Sequence, residues 1–229
     1  MGIRLLNKFL QTKCSKRSIT KKYLSEYRGK KIAIDVYNYL YRFKGDEKFI
    51  ENLFVMCSIF RRYDISPIFV YDGKPPEMKR EELDSRRAEK KALRQQYSAL
   101  STSPTTYQTN LELIKMKRSC SMITKNDVEI SKKLIKNYGM SIIQSNGESD
   151  PLCVELVKTN RAFACLSDDM DMFAYGCPKV LRYLSLINES VIEYNHENIL
   201  LELHMNEEEF QILCILAGTD YGKFEKNIF

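Results

Sequence analysis

The chain has 229 residues, 44% of them hydrophobic and 29% charged, which is the composition of an ordinary soluble globule long enough to bury a sizeable core as one domain, or as one domain with an elaboration. Its seven cysteines are odd in number, widely scattered and without a Cys-x-x-Cys pair, which argues for free thiols in a reducing compartment and against a zinc site. No apolar run is long enough to cross a bilayer and the N-terminus lacks a signal-peptide layout, so the chain is expected to be intracellular, soluble and without a membrane partner.

Leu5, Leu6, Phe9 and Leu10 have helical spacing and open a short amphipathic helix. Residues 18–27 read as a second helix, ended by Gly29. Lys31-Ile32-Ala33-Ile34-Asp35 is a short apolar, β-prone run stopped by an acid, and Tyr37, Tyr39, Tyr41 and Phe43 follow it. A helix from Lys48 to about Tyr63 is predicted to turn Ile50, Phe54, Cys57, Ile59 and Phe60 inward. It leads into a second run of the same kind, Pro67 to Tyr71, which ends at Asp72-Gly73. Strand, helix, strand is the βαβ unit, with its strands parallel.

Residues 77–126 break that alternation with a long polar stretch. Glu77 to Leu100 reads as an exposed helix with Lys79, Arg86, Lys90 and Arg94 on one face, and Leu111 to Arg118 as a helix returning to the sheet. The hairpin is expected to stand over the strand ends, as an insertion between residues 1–76 and 127–229 of a single core. Thr124 and Asp127 are placed to form a capping box. The alternation then resumes. Ser141 to Ile143 is a strand and Leu152 to Val157 a helix started by Asp150-Pro151, with Asp150 as its cap. Ala162 to Leu166 is a strand running into Ser167-Asp168-Asp169-Met170-Asp171, and Val180-Leu181 a further short one. A buried helix from Phe210 stops at Gly218, just before Asp220. The fold class is therefore α/β, a mostly parallel central sheet flanked by helices with an inserted helical arch.

Strands of one parallel sheet end on one edge, where open α/β sheets keep their ligand crevice, so Asp35, Asp72, Asp169 and Asp171 should meet there. With Glu148, Asp150 and Asp220 they form a set of seven acids that cannot all stay ionised in one cleft without cations. With oxygen ligands only, Mg2+ is favoured and Mn2+ can substitute; two ions about 4 Å apart would activate a water and stabilise the leaving oxygen of a phosphodiester. Setting those seven aside leaves 23 acids against 36 Lys and Arg, a positive surround suited to a polyanion.

Several segments carry a family resemblance in one order along the chain. Met1-Gly2-Ile3, Ala33-Ile34-Asp35, Val70-Tyr71-Asp72-Gly73-Lys74-Pro75-Pro76, Glu148-Ser149-Asp150, Asp169-Met170-Asp171 and Leu216-Ala217-Gly218-Thr219-Asp220-Tyr221 resemble the XPG/flap endonuclease family of structure-specific 5′ nucleases, whose core has the PIN-like fold. The resemblance implies that Asp35, Asp72, Glu148, Asp150, Asp169, Asp171 and Asp220 are metal-site acids. It also implies that Lys79 and Arg86 reach the scissile phosphate from the arch, and that Tyr41 stacks near the cleaved nucleotide. Gly2 would lie close to the reaction centre. The basic residues of the helix itself, Arg87, Lys90 and Arg94, are expected as further DNA contacts. The activity implied is metal-dependent hydrolysis of DNA at 5′ flaps or single-strand/duplex junctions, leaving a 5′-phosphate and a 3′-hydroxyl, with a repair or replication partner and, in a eukaryotic cell, a nuclear location.

Two rival readings are a PIN-like ribonuclease and a non-catalytic junction binder that needs a partner. Three departures bear on them. Asp150 stands where the family usually has Glu, one methylene longer, and the segment between Asp35 and Asp72 is shorter than in typical members. The sequence ends at Phe229, where the family's duplex-gripping helix-two-turn-helix would follow, so either further chain is expected to supply that grip or the protein relies on the catalytic core, with or without a partner.

Overall fold

The computed structural model describes residues 2–3, 5–74, 76–100, 116 and 119–219, and all structural statements refer to these. The strands are β1 Ile19–Tyr23, β2 Lys31–Asp35, β3 Ser66–Tyr71, β4 Ser141–Gln144, β5 Ala164–Leu166, β6 Lys179–Ser185 and β7 Ser190–Asn195. They form one sheet in the order β1-β7-β6-β5-β2-β3-β4. From β6 to β4 all neighbours are parallel, whereas β7 runs antiparallel to both β6 and β1.

The helices are α1 Leu6–Lys13, α2 Val36–Gly45, α3 Phe49–Arg62, α4 Arg80–Leu100, α5 Lys125–Asn137, α6 Ser149–Lys158, α7 Asp171–Ala174, α8 His196–Leu203 and α9 Glu207–Leu216. They cover both faces of the sheet, which explains the unbroken apolar runs of the central strands. On one face Ile32, Ile34, Phe69 and Tyr71 pack with Leu40 and Phe43 of α2, Leu53, Met56 and Phe60 of α3, and Ile135 of α5. On the other, Ala33, Val70, Cys165 and Val180 pack with Leu6 and Leu10 of α1, Cys153 and Leu156 of α6, and Phe173 and Phe210. A fully buried phenylalanine such as Phe60 contributes about 1.5–3 kcal/mol through burial alone. All seven cysteines are free, six of them buried. No helix among the described residues is long and apolar enough to cross a membrane.

The structure corrects four local readings. Residues 18–27 are not a helix: Ile19–Tyr23 is edge strand β1, followed by a 3-10 turn over Leu24–Tyr27. Long-range pairing with β7, a strand the periodicity did not show, decides the backbone there. α3 buries Leu53, Met56, Cys57, Ile59 and Phe60, while Ile50 and Phe54 of the expected face are exposed, because its axial rotation is set by the sheet. β6 is longer than its two central residues because it continues into the hairpin with β7. Helix α9 buries Phe210 and Cys214 but exposes Ile212, Ile215 and Leu216, so it is not a fully buried helix.

The segment Glu77–Leu100 is a 3-10 turn over Glu77–Lys79 continued by α4, and the Thr124 capping box forms as predicted. Thr124 Oγ1 accepts from Asp127 N at 3.1 Å, and Asp127 Oδ2 accepts from Thr124 N at 2.9 Å. The returning helix of the hairpin falls largely outside the described residues.

Candidate active site

Strand register brings the acid-bearing ends together. Asp35 stands opposite Val70, two residues before Asp72, and Ile34 stands opposite Leu166, so the segment 167–171 leaves β5 beside the end of β2. Ser145 to Glu148 cross the end of β3, held by Gly73 N donating to Gly147 O at 2.6 Å. This close approach needs glycine, because a Cβ at position 73 would collide with the backbone of Ser145 and Asn146. The glycine of Asp72-Gly73-Lys74 thus allows the Glu148 loop to lie against Asp72.

Asp35 is 5% exposed at the N-cap position of α2 but caps nothing with its side chain. Its Oδ1 accepts from Ser149 Oγ at 3.1 Å, and its Oδ2 from Ser167 Oγ at 3.1 Å and from the side-chain amide of Asn38. Asp72 Oδ1 accepts from Ser149 N at 2.7 Å. Asp169 Oδ1 accepts from the amide of buried Asp171, which opens α7, at 3.1 Å. Asp150 is not the cap of α6. Glu148 holds that position, and Asp150 lies in the first turn, where Pro151 is also accommodated. The capping explanation for Asp150 therefore fails, and its carboxyl joins the cluster instead.

Asp35 and Asp150 feel the same neighbouring acids. Burial, then Asp72, then Asp169 push the Asp35 carboxyl up to about 7, against the pull of the serine hydrogen bonds. Asp150 is raised well above the usual carboxylate range by burial and by Asp35, Asp169, Asp72 and Asp171 in turn. Asp35 and Asp150 thus carry the repulsion of Asp72, Asp169 and Asp171 in a cleft where Asp35 and Asp171 are buried, the situation a divalent cation relieves. With oxygen donors only and no His or Cys among them, the residues fit Mg2+ or Mn2+. Among the described residues no three acids stand at direct ligand spacing. Asp35 and Asp72 are turned onto their protein donors, and Glu148 Oε1 pairs with Lys79 Nζ at 2.7 Å.

The basic face predicted for α4 divides by contact. Lys79, 6% exposed, reaches down to Glu148, and Lys90 Nζ lies 4.3 Å from the centre of the Tyr41 ring. Arg94 Nε donates to Cys120 O at 3.1 Å, and Arg87 stays in solvent with Asp84 at 3.0 Å. Tyr41 is 40% exposed and packs on Tyr37, ring centres 6.4 Å apart. Gly2 lies against the far side of the cluster, where any Cβ would collide with Asp169 Oδ1 and come within 2.6 Å of Asp171 Oδ1. A cavity of about 430 Å³ opens beside Glu148 between Pro76, Gly147, Leu152 and Glu155. Asp220 and the Arg86 side chain lie outside the described residues.

Sequence reasoning missed Asn38, Ser149 and Ser167, the donors around Asp35. Both serines sit inside motifs that drew attention for their acids, and a hydroxyl beside an acid is too common a pattern to single out. Asp168 belongs to the scaffold: its Oδ1 accepts from Tyr183 N at 2.7 Å and its carbonyl from buried Arg182 at 2.8 Å.

Comparison with known proteins agrees with this architecture. Residues 1–93 match the XPG N-terminal domain and residues 139–220 the XPG I-region. Flap endonuclease 1 of Glycine max is 30% identical over 241 residues, covering 96% of this chain and 62% of that protein. The Trypanosoma cruzi protein of the same name is 30% identical over 244 residues, covering 96% and 61%. Among solved structures, flap endonuclease-1 from Methanococcus jannaschii superposes with a TM-score of 0.65 at 24% identity, covering 96% of this chain and 71% of that one. The catalytic core of Rad2 in complex with DNA substrate gives 0.72 at 21%, covering 96% and 63%. The fold is thus the PIN-like fold that the flap endonuclease-1 and Rad2 cores share. With both XPG regions matched in order and relatives aligned along nearly its whole length, the chain belongs to the XPG/flap endonuclease family. It spans about three fifths of the length of those curated relatives.

Proposed function

We propose that this chain is the core of a metal-dependent, structure-specific 5′ nuclease that hydrolyses DNA phosphodiester bonds at 5′ flaps or single-strand/duplex junctions, leaving a 5′-phosphate and a 3′-hydroxyl. The observation that carries the reading is the convergence of Asp35, Asp72, Asp150, Asp169 and Asp171 in one cleft, at the edge where the basic helix α4 begins. A pure DNA binder gains nothing from carboxylates that repel phosphate. Mg2+ or Mn2+ bound there supplies an acidified water and screens the charge of the phosphate.

In this reading Asp35, Asp72, Glu148 and Asp150 mainly serve one cation position, and Asp169, Asp171 and Asp220 a second. Lys79 and Arg86 meet the scissile phosphate and stabilise charge that develops on its oxygens. Tyr41 stacks on a base near the cleaved bond, and Lys90, above its ring, contacts the backbone with Arg87 and Arg94. Gly2 leaves room beside Asp169 and Asp171. Residues 77–126 form the arch over a core made by 1–76 and 127–229, and the single-stranded 5′ end passes beneath it. The protein works inside the cell, in the nucleus if the cell is eukaryotic, with a repair or replication partner.

The test is cleavage of a 5′-labelled DNA flap in Mg2+, beside the same flap in EDTA, single-stranded DNA and a matched RNA flap. Metal-dependent cutting of DNA near the junction is expected. Preferential cutting of the RNA flap would move the assignment to a ribonuclease, and binding without cutting in Mg2+ or Mn2+ would make the chain a junction binder.

A further inference from the structure

Asp35 occupies the N-cap of α2, where an aspartate ordinarily accepts a backbone N–H from the first turn. It makes no such bond. Three side chains from three separate elements surround its carboxylate instead. Asn38, in the first turn of α2, directs its amide at Oδ2; Ser167, just past β5, donates to the same oxygen at 3.1 Å; and Ser149, the first residue of α6, donates to Oδ1 at 3.1 Å. Ser167 Oγ in turn accepts from Asn38 Nδ2 at 2.8 Å and from Asp169 N at 3.1 Å. The hydroxyl therefore links Asp35 to the loop that carries Asp169 and Asp171. Asn38 gains little for itself, since its own Oδ1 is buried with no hydrogen-bond partner among the described residues, an arrangement that opposes stability. Neither capping nor local stability accounts for the group.

We infer that Asn38, with Ser149 and Ser167, is a positioning device that fixes the Asp35 carboxylate so that it offers a cation a single oxygen, Oδ1. A carboxylate has about four acceptor directions. Asn38 and Ser167 occupy both on Oδ2 and Ser149 one on Oδ1, which leaves one, on the oxygen nearer α6 and the Glu148–Asp150 segment. Asp35 is thereby limited to one-oxygen ligation. Binding a cation through both oxygens, or bridging two cations, breaks hydrogen bonds to Asn38 and Ser167. Donors that orient ligating carboxylates ordinarily change metal affinity about 10- to 100-fold when removed.

The inference rests on the proposed reading of the acid cluster as a cation site, and the test separates the two. Mn2+ is titrated calorimetrically into the full chain without DNA, at one pH, for wild type, Asn38→Leu and Ser149→Ala, with thermal melts of each in EDTA. Asn38→Leu keeps the size of the side chain and removes the donor, and is expected to weaken Mn2+ binding about tenfold; Ser149→Ala is expected to weaken it several-fold. A packing role alone would change the melting temperature in EDTA and leave the Mn2+ dissociation constant at the wild-type value, and that result overturns the inference while the cation site stands. Absence of Mn2+ binding by the wild type overturns both. If Asn38→Leu does not fold, Ser149→Ala decides by the same criterion.

Discussion

Gly2 is held at φ +73° with its α-carbon facing the oxygens of Asp169 and Asp171, so both its backbone and its surroundings exclude a side chain. Gly2→Ala is expected to lower cleavage by at least about tenfold while DNA binding in Ca2+ stays within about twofold, a split read from single-turnover rates and an equilibrium titration. Asp169→Asn keeps the shape of the side chain and removes its charge. Cleavage should fall by at least about 100-fold with binding retained, and near-normal turnover would remove Asp169 from the machinery. Asp35 gives a third prediction. Its carboxyl is raised from 3.8 to about 7, so between those values the folded, metal-free protein holds a proton that the unfolded chain releases. Stability in EDTA therefore falls as pH rises through that window. Melting temperature should decline from about pH 4 to about pH 7, less steeply in Asp35→Asn and less steeply with Mg2+ present.

At the scale of elements, α5 shows what a local signal delivers. Thr124-Lys125-Asn126-Asp127 caps its own helix within four residues, and Lys44 of α2 pairs with Asp127 at 2.7 Å. Thr124→Ala should destabilise the protein by about 1 kcal/mol, measured by urea unfolding with unchanged slope. Helix α4 shows the opposite case. Its basic residues share a stripe in sequence with Lys79 of the preceding 3-10 turn, yet Lys79 is buried on Glu148, Lys90 sits over Tyr41 and Arg94 is bonded to a carbonyl. A stripe of charge fixes a helix face but not what each member touches.

For the whole molecule, the proposed reading sets a negative cleft within a basic chain, 36 Lys and Arg against 30 acids, seven of which that reading gives to the site. DNA affinity should fall steeply with salt, as it does when basic groups displace counterions from phosphates. Lys90→Ala is expected to lower the slope of log affinity against log salt by about 1 and to weaken binding evenly across sequences.

How much of this was legible follows from the range of each interaction. An apolar run stopped by an acid is a local pattern, and a parallel sheet has one C-terminal edge, so the sequence alone determined the α/β class, the strands ending at Asp35 and Leu166, and the meeting of Asp35, Asp72, Asp169 and Asp171. The Thr124 cap was legible because its partners are three residues apart. The rest needed contacts between segments distant in sequence. β1 is a strand because β7, more than 160 residues later, pairs with it. The buried side of α3 was decided by the sheet that turns Leu53 and Met56 inward and leaves Ile50 and Phe54 outside. Asp150 is a cleft acid rather than a cap because α6 begins at Ser149, and Asn38, Ser149 and Ser167 surround Asp35 only because β2, β5 and α6 end at one point. Sequence determines which chemical groups reach an edge; the direction in which each lone pair points depends on donors from other elements, and only the assembled sheet places those.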